Sequence, residues 1–402
     1  TDGKQIEIIH PGEHNFHSGP DFFNAQLKIG KLLWTGNVEI HIRTSDWLKH
    51  KHQNDDAYDN VILHVVYNND VELKTNTGDR MPTLVMRERI EMKLYENYQQ
   101  LLKSKTKIAC ANRVKEIPPI IMTSWLSGIL AERLERKVLE LKRELLQNGN
   151  DWEETFYRQL ARQFGMKINA EPFVWLASAV PYKMLSRQRD NLIQTEALLF
   201  GQSGLLPEKP QDAYSRLLVR EYIFLQMKFR IRPMPAHRWK FMRLRPNNFP
   251  TIRIAQLAGL FFRQPQLFRN CMEENDVARL KKLFDVPASG YWNEHYRFGK
   301  ISKACEKNLG SQAIDTILIN TIAPFKFLYG RMKGDEQLTA DAIALLEKTD
   351  PETNKIIREW GSSGIAPVNA CESQALLELR KIYCDKKKCL NCEIGNYLLG
   401  RK

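Results

Sequence analysis

Over the first ninety positions apolar residues recur every second residue, the spacing of strands with one buried face. Positions 5–10 alternate up to a break at Pro11-Gly12, and 22–29 alternate again, with Phe23, Ala25, Leu27 and Ile29 on one side. Gly30-Lys31 predicts a two-residue turn into a returning strand over 32–42. That strand is interrupted at Gly36-Asn37, where a bulge is expected. Residues 61–67, Val-Ile-Leu-His-Val-Val-Tyr, form a nearly continuous β-branched run and read as a strand buried on both faces. Positions 82–86 predict a last short strand. Ser45-Asp46-Trp47 offers a helix start with Ser45 or Asp46 as the cap.

From Arg87 the period becomes helical. Ile90, Leu94, Tyr98 and Leu101 share a face, and Leu126, Ile129, Leu130, Leu134, Val138, Leu141 and Leu145 draw a long stripe. Further helices are predicted at 151–165, 171–190, 192–204, 211–229, 251–260, 276–284, 312–329, 338–346, 351–359 and 372–382, with no sheet in this half. The expected layout is an α/β or α+β domain with a mixed sheet over 1–105, then a large all-α domain over 106–402. The change of period falls between 87 and 118, and Pro118-Pro119 is the cleanest stop.

Composition adds partners to this picture. With 402 residues the chain is long for one core, and 43% hydrophobic content suffices for two. No apolar run reaches the roughly 18 residues of a membrane helix, and no secretory signal is visible. The net charge of +13 favours a polyanion, and nucleic acid is the expected partner. A loop at 238–253 interleaves Arg238, Trp239, Arg243, Arg245 and Arg253 with Phe241, Phe249 and prolines. Either it meets phosphates and stacks bases, or its aromatics plug the helical core while the arginines cap helix ends. Phosphate-cradling, dinucleotide-binding and nucleophile-elbow motifs are lacking, so ATPase, dehydrogenase and α/β-hydrolase chemistry have no support.

Two constellations carry candidate chemistry. Seven of nine histidines fall in the first 64 residues: His10, His14, His17, His41, His50, His52 and His64. They accompany Asp21, Glu39, Asp46, Asp55 and Asp56. Glu39 and His41, two apart on one strand, project from the same face, and His64 comes from the buried strand expected to flank them. Asp21, Glu39 and His64 are candidate ligands for a divalent ion that activates water, or the histidines are ordinary surface and core residues. The second constellation is Cys371, Cys384, Cys389 and Cys392, four of seven cysteines. An odd count is no disulfide framework; it suits a reducing cytoplasm and a zinc ion or iron–sulfur cluster on these four thiols. Buried, incidental thiols are the alternative.

Pro20-Asp21, followed by Glu39-Ile-His41, resembles the signature of the PD-(D/E)XK nuclease superfamily. The resemblance implies a restriction-endonuclease-like fold in which an Asp opening one core strand and a Glu-x-Lys on the next bind Mg²⁺ or Mn²⁺. Asp21 and Glu39 match that motif, and His41 stands where the Lys belongs, so it would orient or deprotonate the water, with His64 and His17 behind it. The expected activity is phosphodiester hydrolysis in DNA or RNA. The rivals are an inactive nucleic-acid-binding adaptor and a helical protein-interaction scaffold. Over its whole length the chain also resembles an uncharacterised bacterial family, a domain of unknown function. Gly19-Pro-Asp-Phe-Phe-Asn-Ala25, Gly36-Asn-Val-Glu-Ile-His41, Asn60-Val-Ile-Leu-His-Val-Val66, Glu196-Ala-Leu-Leu-Phe-Gly201, Arg243-Leu-Arg-Pro-Asn-Asn-Phe-Pro250 and Cys389-Leu-Asn-Cys392 carry that resemblance, which transfers no activity.

Overall fold

The structure is a computed structural model that describes residues 3–15, 17–75 and 78–400. Two compact units divide the chain between Lys103 and Ser104. The first holds a mixed sheet of six strands: β1 (Ile6–His10), β2 (Glu13–His14), β3 (Phe22–Ile29), β4 (Leu32–Arg43), β5 (Val61–Asn68) and β6 (Thr83–Val85). The spatial order is β1-β3-β4-β5-β6, with β2 also on β3. β3 runs antiparallel to β1, β2 and β4, whereas β5 is parallel to β4 and β6 is parallel to β5.

Local chemistry fixes this register. Ile29 faces Leu32 across the two-residue loop, and Gly30 takes φ +61°, which suits the first position of such a turn. Ala25 and Leu27 on β3, Val38 on β4 and Ile62 and Leu63 on β5 form one core. Phe22, not Phe23, packs against it. Asn24 is the reason: it adopts φ +56°, and the β3–β4 register slips between Phe22 and Ala25, so parity reverses there. The interruption expected on β4 sits where β4 meets β5. A Cβ on Gly36 would lie 2.5 Å from Ile62 Cγ2 and 2.6 Å from Asn60 O, and the β4–β5 register shifts between Asn37 and Val38. β5 is covered on both faces, since Val61 joins a second core with Trp47, Tyr58, Leu73 and Met81. The crossover from β4 to β5 carries the short helix α1 (Asp46–Lys49).

The second unit is mostly helical around one extended core. Its longest helix, Pro119–Gln147, buries the stripe Leu126, Ile129, Leu130, Leu134, Val138, Leu141 and Leu145. The stretch at 171–190 splits into Ala170–Ala179 and Tyr182–Ser186, because Pro181 lacks an N–H and keeps Val180 out of the helical region. The helix at 312–329 passes through a π turn at Leu318–Ile322. Contrary to the all-helical expectation, His295–Arg297 and Lys300–Ile301 pair as a small hairpin around Gly299, at φ +66°. Among the described residues no helix is long and apolar enough to cross a membrane.

Candidate metal centre

Asp21 and strand β4 are tied backbone to side chain in both directions. The Asp21 N–H donates to Glu39 Oε2 at 3.0 Å, and the Ile40 N–H donates to Asp21 Oδ2 at 2.9 Å. Strand alternation then sets His41 beside Glu39, with His41 Nε2 3.4 Å from Glu39 Oε1. Across the parallel β4–β5 pair Glu39 is in register with His64, which is fully buried and whose Nε2 lies 2.9 Å from His41 Nδ1.

Two more imidazoles arrive from the crossover. Asp46 Oδ2 accepts the Arg43 N–H at 3.0 Å and so anchors the first turn of α1. Ser45 spends its hydroxyl on Asp70 Oδ2 rather than on a helix cap. α1 ends at Lys49 with His50 as its C-cap, and Lys51 takes a left-handed conformation at φ +62° before the turn that starts at His52. A non-glycine residue held there costs about 1–2 kcal/mol. The reversal turns both histidines toward β4: His50 Nδ1 lies 3.1 Å from His41 Nε2, and His52 Nε2 lies 3.6 Å from Glu39 Oε1. His52 stacks on Tyr58 at 3.8 Å, and Trp47 stands edge-on to both rings, so the second core fixes the orientation of His52.

His41, His50 and His52 offer ligand atoms that lie within 4.8 Å of one another. Glu39 Oε1 stands beside two of these donors, His41 Nε2 and His52 Nε2, but outside the three-histidine group. The His41–His50 donor separation of 3.1 Å is close to the roughly 3.3 Å edge set by metal–nitrogen bonds of about 2.05 Å, and Glu39 Oε1 lies 3.4 Å from His41 Nε2 and 3.6 Å from His52 Nε2. Three imidazoles and a carboxylate suit Mn²⁺ or Zn²⁺ better than Mg²⁺, which prefers oxygen ligands.

The electrostatics agree with an acceptor set built for a cation. Burial, reinforced by the Asp21 charge, pushes the Glu39 carboxyl up to about 7. Burial, helped by His52 and His50, pulls His41 down to about 4; burial with His41 and His52 does the same to His64. His52 is lowered as well, chiefly by burial. Neutral imidazoles are the metal-binding form. An ion on His41 Nε2 would leave the ring proton on Nδ1, where it would donate to His64 Nε2 and let His64 orient His41 from behind.

Asp21, Glu39, His41 and His64 thus come together, and His50 and His52 join them. The sequence signal for these two was the crowding of histidines, since nothing in their spacing shows that a left-handed Lys51 turns both inward. His17 stays in the loop ordered by Asn15, whose Oδ1 accepts the His17 N–H.

In the second unit the basic loop divides. Arg238, Arg243 and Arg245 are exposed, and Arg238 lies over the Trp175 ring at 4.7 Å. Trp239 is 5% exposed, packs edge-on to Phe173 and donates its indole N–H to Ser203 O, so its ring belongs to the core and not to a stacking surface. Arg253 is buried on the helix Pro250–Arg263, bonded to Asn248 Oδ1 and Gln256 Oε1, and it lines a cavity of about 600 Å³. Cys384, Cys389 and Cys392 lie in one folded segment, whereas Cys371 faces Ile343 O and Glu347.

Fold and site define a two-unit protein: a mixed-sheet domain with a histidine–carboxylate cluster, followed by a helical unit. The chain belongs to the DUF2851 family of proteins of unknown function, whose model matches residues 1–355. The segment with Cys384, Cys389 and Cys392 lies beyond the matched residues. No curated protein and no solved structure matches the chain.

Proposed function

We propose that the first unit is a divalent-metal-dependent phosphodiesterase acting on nucleic acid. The observation that carries this reading is the grouping of His41, His50 and His52, with Glu39 Oε1 beside His41 and His52. Asp21 immediately before β3, with Glu39 and His41 on β4, supports it further, because that is the relation implied by the PD-(D/E)XK resemblance. A bound ion would supply an acidified water and a positive charge for a phosphoryl oxygen. The three imidazoles, with Glu39 beside His41 and His52, would hold it, and Asp21, bonded to the β4 backbone, would fix Glu39 and add negative charge. His41 is a ligand in this arrangement, so its occupation of the motif's Lys position changes its task from donating charge to binding the ion. The net charge of +13 supports a polyanionic substrate, and the exposed Arg238, Arg243 and Arg245 of the second unit are candidate phosphate contacts.

The test incubates the full chain with Mn²⁺ and either plasmid, single-stranded DNA or RNA, beside Glu39→Ala and His50→Ala. Cleavage by the wild type that both variants lose supports the enzyme. Salt-sensitive binding without cleavage under any divalent ion replaces it with the nucleic-acid-binding adaptor.

A further inference from the structure

The cavity of about 600 Å³ in the second unit is walled by stretches of chain that lie far apart in sequence. The helix Trp152–Phe164 contributes Phe164 at its end, and the helix Pro250–Arg263 contributes Arg253. Asn320 comes from the π turn at Leu318–Ile322, and Glu352 from the segment before the helix Lys355–Ser362. A π turn inside a helix is a frequent mark of a functional site.

The group in this wall that the fold leaves unsettled is Arg253. It is 5% exposed, and its hydrogen bonds all go to neutral acceptors. Nη2 donates to Asn248 Oδ1 at 2.7 Å and to Met166 Sδ at 3.7 Å, and Nη1 donates to Gln256 Oε1 at 3.2 Å. The Nε–H is buried without a partner. Burial lowers the guanidinium to about 10 and no carboxylate offsets it, so it stays charged at neutral pH. A buried cation held only by neutral groups is incompletely compensated, and a bound anion supplies what is missing.

The carboxylates of the same wall do not supply it. Asp315 Oδ1 pairs with Lys281 Nζ at 2.8 Å, and Glu352 Oε1 accepts from Asn320 Nδ2 at 2.7 Å. Phe164, Leu309 and Ile317, all buried, give the cavity apolar surface. Its volume is that of a small-molecule site, and its chemistry is apolar surface with one charged anchor. Asp315 and Glu352 disfavour a doubly charged phosphate, whereas a carboxylate brings a single charge and matches a planar guanidinium.

We propose that this cavity binds a small organic carboxylic acid, its carboxylate on Arg253 and its apolar body against Phe164, Leu309 and Ile317. The site is independent of the phosphodiesterase reading, since none of these residues lies in the first unit. The test titrates the full chain calorimetrically with para-bromobenzoate and with its uncharged counterpart para-bromobenzamide. The wild type is expected to bind the acid about 10-fold or more tighter than the amide, as a hydrogen-bonded charge pair requires. Arg253→Gln is expected to bind the two alike, and Ala313→Phe, which fills the cavity and leaves Arg253 in place, to lose both. Melting curves check that each variant is folded. Crystals of the wild type soaked with para-bromobenzoate, which need no variant, are expected to show the bromine anomalous peak beside Phe164, Leu309 and Ile317. No binding of the acid, equal binding of acid and amide by the wild type, an acid preference that survives Arg253→Gln, or a bromine peak outside the cavity overturns the proposal. Tighter binding of para-bromophenyl phosphate than of para-bromobenzoate overturns it in favour of a phosphate ester.

Discussion

Replacing Glu39 by Gln should change the pH dependence of metal binding more than any other single substitution at the cluster. In the metal-free protein the Glu39 carboxyl is held up to about 7, chiefly by burial and then by the Asp21 charge. A metal must displace that proton. Between pH 5 and pH 7 the ionised fraction of a group with this pKa rises roughly 50-fold, which is about 2.3 kcal/mol of apparent affinity. His41 and His64, pulled down to about 4, stay neutral across this window and add little to the slope. The ratio of wild-type to Glu39→Gln affinity for Mn²⁺ should therefore rise roughly 50-fold from pH 5 to pH 7 and level off above it. Mn²⁺ is the appropriate probe because thiolates disfavour it, so the cysteines do not compete. Free Mn²⁺ is read by its paramagnetic resonance signal in titrations at pH 5, 6, 7 and 8. An ordinary surface glutamate would change the ratio less than about twofold over that range. A flat ratio would show that Glu39 is not a desolvated ligand and would refute the reasoning.

The same shift predicts stability. A raised carboxyl pKa contributes stability that is full below 4.5 and is lost as pH rises through about 7. At pH 8 without metal, Glu39→Gln should therefore stabilise β4 and β5 by up to about 3 kcal/mol, with no gain at pH 4, as read by amide exchange. Gly36→Ala should destabilise the first unit by about 1–3 kcal/mol, because its Cβ would meet Ile62 and Asn60 O; denaturant unfolding followed in β4 and β5 by exchange measures it. In the second unit Trp239→Ala should cost about 3–5 kcal/mol in chemical denaturation while leaving the salt dependence of nucleic-acid binding unchanged. Arg243→Ala with Arg245→Ala should do the reverse, reducing the salt slope by about one per lost phosphate contact at little cost to stability.

What the sequence revealed follows from the range of the interactions involved. Strand alternation and the Gly30-Lys31 turn are local, so β1, β3, β4, β5 and β6 were legible, and the continuous run at 61–67 correctly foretold a strand covered on both faces. The parity of Phe22 was not legible, because it depends on Asn24 adopting a left-handed conformation. Strand geometry alone placed Glu39 beside His41, and the buried run brought His64 to their side. His50 and His52 escaped because their orientation depends on Lys51 and on packing against Trp47 and Tyr58. The helical stripe at 126–145 was plain in its spacing. Cys371 was grouped with Cys384, Cys389 and Cys392 by nearness in sequence. Cys371, close in sequence, turns instead toward the helix Glu336–Glu347.

The most direct measurement is anomalous diffraction at the manganese edge from crystals of the full chain grown with Mn²⁺ at pH 8. A single peak about 2.0–2.3 Å from Glu39 Oε1, His41 Nε2, His50 Nδ1 and His52 Nε2 is the predicted result. Ordered histidines and Glu39 around a site with no anomalous peak, at Mn²⁺ concentrations that saturate the solution titration, would contradict it.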